Sequence, residues 1–121
     1  MDIRRFGEIE EIIANDGCRL RELLHPNRGA PGLPYSLAVA SLDRAGATLP
    51  HRLIGETEVY LILGGSGRMH VGDEAESVRP GDAVVVPPGA TQWIECTGSE
   101  PLRFAVIVSP PWTAEHDERL G

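Results

Sequence analysis

Apolar residues in this chain fall in short runs, and glycine or proline separates one run from the next. Turns at such short intervals leave strands between them, so the pattern predicts an all-β domain. The segments that read as strands are 18–24 (CRLRELL), 35–42 (YSLAVASL), 58–63 (EVYLIL), 68–71 (RMHV), 83–88 (AVVVPP), 91–96 (TQWIEC) and 102–109 (LRFAVIVS). Only 8–14 (EIEEIIA) has the character of a short helical turn, which Asn15 and Gly17 would end. Residues 25–34 (HPNRGAPGLP) read as a loop, and 110–121 (PPWTAEHDERLG) as a polar tail that packs through Trp112 and then frays. No composition break divides the chain. One domain over 1–121 is expected, with a barrel core at about 34–109 and both ends packed on it or on a partner subunit.

Alternation adds a second inference. In EVYLIL, Glu58, Tyr60 and Ile62 fall on one face and Val59, Leu61 and Leu63 on the other. Both faces are largely apolar, and AVVVP behaves the same way. A small barrel ordinarily leaves its outer face wet, so something covers this one. The N-terminal segment could do so. With only two Trp, two Tyr and two Phe to build a second core, a homodimer is the more economical expectation.

Charge narrows the partners. A formal net charge of -7 argues against nucleic acid and anionic membrane, which both require a basic footprint. No apolar run approaches the ~20 residues of a membrane-spanning helix. The start, MDIRRFGEIEEII, lacks the basic, apolar and small-residue succession of a signal peptide, so a cytoplasmic location is expected. There is no lysine, which removes lysine Schiff-base and lysine general-base chemistry. Cys18 and Cys96 fit neither a CxxC pair nor a zinc-site spacing. Two buried free thiols are expected, with a disulfide between them as the alternative.

The candidate chemistry lies in two stretches. His51 and Leu53 share one face of a strand, residues 54–57 can turn, and Glu58 opens the returning strand, close enough to share a pocket with His51. In PGDAVVVPPGATQW, Gly81 and Asp82 suit a turn, Val84 to Val86 a strand, and Pro87-Pro88-Gly89 a tight corner. Gln92 then enters the next strand, with Ile94 and Cys96 on its face. Burying Glu58 beside Tyr60 and Ile62 would be costly without a cation, a proton or a hydrogen bond from His51. Tyr60 would line the same pocket, whereas Trp93 faces away from Gln92 and suits an interface. His70 is expected to point outward, opposite Met69 and Val71. His25, before Pro26 in a loop, is expected at solvent or an interface, and His116 in the tail. Arg68 and Arg103 read as solvated charges.

These stretches resemble the two motifs of the cupin family. The first, G-x5-H-x-H-x3-4-E-x6-G, is met by His51, by Leu53 in the second histidine position, by Glu58 and by Gly65, with Gly46 one residue nearer than the pattern. The second, G-x5-P-x-G-x2-H-x3-N, is met by Gly81, Pro87 and Gly89, with Gln92 replacing histidine and Cys96 replacing asparagine. The resemblance implies a double-stranded β-helix, a jelly-roll barrel, preceded here by the short helical turn. Metal-binding cupins generally use three histidines and one glutamate. This chain keeps His51 and Glu58, has no donor at Leu53, and offers an amide at Gln92.

Two functional readings follow. In the first, the protein is an enzyme acting on a small polar molecule. A divalent ion (Zn, Mn, Ni or Fe) would sit on His51, Glu58 and Gln92, and the low imidazole count would favour isomerase, lyase or hydrolytic chemistry over oxygen activation. Without metal, His51 would be the general base, paired with Glu58, and Tyr60 a possible acid. In the second, the barrel binds a small molecule without catalysis. No organic cofactor is expected in either.

Overall fold

The computed structural model describes residues 1–121 and contains eleven strands in two antiparallel sheets. In the first sheet, β1 (Ile12–Ile13), β2 (Arg19–Leu24), β3 (Ser36–Leu42), β10 (Leu102–Ser109), β5 (Thr57–Gly64) and β8 (Ala83–Val86) lie side by side in that order. The second runs β11 (Asp117–Arg119), β4 (His51–Leu53), β9 (Gln92–Cys96), β6 (Gly67–Val71) and β7 (Glu74–Val78). From β3 onward the chain alternates between the two sheets, except at the β6–β7 hairpin, as in a jelly roll, and inward residues of both meet between them. No helix is long and apolar enough to cross a membrane.

Period-two burial places the core. Ala38, Ala40 and Leu42 of β3, Ile94 and Cys96 of β9, and Leu102 and Phe104 of β10 all point inward and are buried. Tyr60 and Phe104 stack with ring centroids 5.2 Å apart. Cys18 and Cys96 are both buried and free, so the disulfide alternative falls away. Beyond Gly64 the chain leaves the first sheet through Gly65, which has φ +80°. A Cβ there would lie 2.5 Å from the Pro101 carbonyl oxygen, so the last glycine of the first motif meets both a dihedral and a space requirement.

The ends depart from expectation. Residues 8–14 do not form a helical turn: a 3-10 turn covers Phe6–Glu8, and Ile12 and Ile13 then pair with Leu20 and Arg19. Gly17, at φ +93°, lets the chain fold back as a hairpin, so the sheet edge rather than a helix takes up the backbone hydrogen bonds. The segments of β7 and β11 carry too few apolar residues to stand out as strands. The tail therefore does not fray after Trp112: Asp117, Glu118 and Arg119 pair with Leu53, Arg52 and His51.

The outer face of β5, β8 and β10 is apolar, and the N-terminal segment does not cover it. Phe6 lies instead against the guanidinium groups of Arg21 and Arg103, 4.6 and 5.5 Å from its ring centroid. Leu61, Leu63, Val85 and Ile107 stay exposed, Val85 at 64%.

Candidate functional site at the barrel mouth

Ala38 and Ala40 are small inward residues on a strand whose neighbours are large, and the space they leave becomes a cavity of about 190 Å³ between the sheets. Its walls are mostly apolar, with Leu53, Phe104 and Val106 on the strands. Ile12 and Ile13 of the N-terminal arm and Trp112 of the tail complete its mouth. His51, Glu58 and Tyr60 all line it, so the fold brings the three sequence-predicted catalytic candidates to one cavity.

His51 begins β4, opposite Gln92 at the start of β9. Its Nδ1 lies 3.2 Å from the Leu49 carbonyl oxygen, an acceptor. In the neutral ring Nδ1 therefore carries the hydrogen and Nε2 keeps its lone pair. Nε2 lies 3.9 Å from Glu58 Oε1, beyond hydrogen-bond reach. Both side chains are buried.

Glu58 Oε1 is buried with no hydrogen-bond partner. Desolvation, reinforced by the nearby charge of Asp16, pushes the Glu58 carboxyl up to about 8. The side-chain amide of Gln92 draws it part of the way back, while Asp117 and Glu56 add to the rise. The free protein thus keeps a proton on Glu58 at neutral pH. Tyr60 donates its hydroxyl hydrogen to Gln92 Oε1. Burial, then the Glu58 charge, drives its phenol well above the ordinary value, so it stays a donor and steadies the amide.

The donor set does not suit a tightly held transition metal. Leu53 is buried in the second histidine position and donates nothing, and Gln92 Oε1 is already engaged by Tyr60. Nowhere does the fold gather three His, Cys, Asp or Glu side chains into a group able to hold a metal ion. His51 Nε2 and Glu58 remain as two strong donors, one fewer than the protein ligands of a typical catalytic zinc site.

Several residues here escaped the sequence reading. Asp16, from the β1–β2 hairpin, and Asp117, from β11, line the cavity beside Glu58. Asp16 Oδ1 accepts from the Cys18 backbone N–H at 3.1 Å, a turn role that hides it in the sequence. Asp117 accepts from Trp112 Nε1 at 2.9 Å and from Asn15 Nδ2 at 3.1 Å, clasping tail to arm across the mouth. Glu56, expected only in a turn, is 2% exposed; its Oε2 lies 2.9 Å from His116 Nδ1 and its Oε1 is unpartnered.

The remaining histidines sort by environment. His25 is buried, contrary to expectation: its Nε2 donates to the Trp112 carbonyl at 2.8 Å and its Nδ1 accepts from the Asn27 N–H at 3.0 Å. Both ring nitrogens are used, so it ties loop to tail and leaves nothing for a ligand. His70 points away from the core, as expected. It stacks on Trp93 at 3.6 Å between centroids, and its Nε2 lies 2.6 Å from Glu95 Oε2.

A cupin domain profile matches residues 39–108, more than half of the chain. The chain belongs to the cupin family. An uncharacterised protein of Methanocaldococcus jannaschii is 36% identical over 115 residues, covering 95% of this cupin and 91% of that protein. Among solved structures, a predicted oxalate decarboxylase of Thermotoga maritima superposes with TM-score 0.80 at 26% identity, covering 90% of this chain and 99% of that one. Pac13 of Streptomyces, a nucleoside dehydratase, has TM-score 0.79 at 15% identity, with coverage of 99% and 91%. That last likeness concerns the fold alone.

Proposed function

We propose that this cupin binds a small polar molecule in the barrel mouth and moves a proton on it through His51, with Glu58 as the paired carboxyl. The observation that carries the reading is the unpartnered Glu58 Oε1 facing the lone pair of His51 Nε2 across 3.9 Å in a mostly apolar cavity. A buried oxygen without a partner costs about 1–3 kcal/mol, which a hydrogen-bonding ligand or water would recover. A group bound between the two side chains would meet a base on one side and a carboxyl on the other. That arrangement serves proton abstraction and return, as in isomerisation, or proton abstraction with departure of a leaving group, as in a lyase. The cavity is smaller than the roughly 300–1,000 Å³ of pockets for drug-sized ligands, so the ligand is a short-chain or single-ring compound.

The test is solvent exchange. Candidate small carbonyl and hydroxy compounds are incubated with protein in heavy water, and loss of carbon-bound hydrogen is followed by NMR. Exchange that disappears in His51→Ala supports the reading. A ligand that binds in the cavity with no exchange would favour the second reading, a barrel that binds without catalysis, for which the replacements at Leu53 and Gln92 speak. No binding by any candidate would sink both.

The apolar face formed by Leu61, Leu63, Val85 and Ile107 supports a homodimer in which a second copy packs on the same face.

A further inference from the structure

The charge around the cavity points to a particular ligand class. Four acidic residues line it: Asp16, Glu22, Glu58 and Asp117. One arginine, Arg28, also lies on the lining, but its Nε pairs at 2.8 Å with Glu22, another lining residue. No other arginine lines the cavity, and the chain has no lysine. The other three, Asp16, Glu58 and Asp117, thus line the cavity with no arginine or lysine of their own. Glu58 is 7% exposed and its Oε1 has no hydrogen-bond partner, so the most buried of the three presents an acceptor that nothing in the chain satisfies. His51 Nε2, beside it, is a second acceptor rather than a donor in the neutral ring. The Asn15 and Trp112 side-chain N–H groups on the lining are spent on Asp117, and the Tyr60 hydroxyl on Gln92. Apart from the proton that Glu58 holds in the free protein, this end of the cavity therefore presents acceptors and no unpaired arginine or lysine.

A compact metal ion does not answer this need, because no three acidic or imidazole side chains converge on one point. An ammonium group carried on a hydrocarbon body answers it on each count. On binding, Glu58 releases its proton to solvent, the ammonium hydrogens satisfy Oε1, and the charge of the cation offsets the Glu58 carboxylate so formed together with Asp16 and Asp117. Its alkyl part lies against Ala38, Leu53 and Val106, and Trp112 offers an aromatic surface of the kind that holds alkylammonium groups. Resting on the small-molecule reading of this site, we infer that the ligand is a small organic amine bound as its cation. The same charges oppose carboxylates and dicarboxylates of equal size.

The test uses three probes of one chain length: n-butylammonium, 1-butanol and butyrate. Each is titrated into the 15N-labelled full chain at pH 7, with shifts followed at His51, Gln92 and Trp112. The expected result is butylammonium binding at least tenfold more tightly than butanol, with butyrate weaker than both. Asp16→Asn, which keeps an oxygen for the Cys18 N–H, should cut that preference several-fold, and Asp117→Asn serves as a second variant should the first fail to fold. Raising sodium chloride to 0.5 M should narrow the gap as well. Butanol or butyrate binding as tightly as butylammonium overturns the amine assignment and leaves the small-molecule site standing. No shift at the three residues with any probe overturns both.

Discussion

Glu58 couples the site to the stability of the fold. Its carboxyl is raised to about 8 in the folded chain by desolvation and by Asp16, against an ordinary value of 4.5 in the unfolded one. Between those values the folded state holds a proton that the unfolded state has released. Stability is therefore fullest below pH 4.5 as far as this group is concerned, falls as pH rises toward 8, and levels off above it. The slope approaches ~1.4 kcal/mol per pH unit within that window. Denaturant midpoints measured from pH 5 to 9 should show the decline, and Glu58→Gln, which cannot ionise, should remove most of it. A wild-type profile that rises across the window would contradict the assignment. Metal content is a second residue-scale expectation. Protein purified without a histidine tag should carry substoichiometric Zn, Mn, Ni and Fe by plasma mass spectrometry, unchanged in His51→Ala, because Leu53 and the engaged Gln92 leave two strong donors. Stoichiometric metal lost on that substitution would restore the metal-centred reading.

At the scale of elements, turns and clasps set the cavity's shape. Gly65 ends β5 at φ +80° with the Pro101 carbonyl in the space a side chain would need. Gly65→Ala should lower stability by roughly 2–4 kcal/mol, combining left-handed strain with a backbone clash. Gly55→Ala shares the positive φ but meets nothing within 4 Å, so it should cost about 1 kcal/mol. Thermal or urea melts of the two variants separate these contributions, and equal losses would refute the role given to Pro101. The motif glycines and prolines were legible in the sequence because turn geometry is local and only a few residue types satisfy it. The strands β7 and β11 were not, since a polar edge segment joins a sheet through backbone hydrogen bonds its side chains do not advertise. Residues 8–14 misled for a related reason. Their spacing allows a helical stripe, but the hairpin at Gly17 offered the backbone a sheet edge first.

At the scale of the whole molecule, the exposed apolar face of β5, β8 and β10 is the feature a single chain leaves unfinished. Light scattering after size exclusion should give twice the 13.1 kDa of one chain. Val85→Arg should shift the species to monomer by placing a charge at the centre of the contact. A monomer in the wild type would refute the dimer.

The sequence by itself carried the barrel: alternating strands, glycine and proline at fixed intervals, and the His51, Glu58 and Gln92 positions of two cupin motifs are all local patterns. It also carried the loss of a ligand at Leu53. Tertiary structure alone decided that Asp16 and Asp117 join Glu58 at one cavity, that His25 is consumed by Trp112 and Asn27, and that Tyr60 takes up the Gln92 oxygen. The physical reason is chain separation. Asp16 and Asp117 come from opposite ends, and their approach depends on an arm and a tail pairing with different sheets. No spacing rule links such residues, whereas a turn or a strand face is written within a few neighbours.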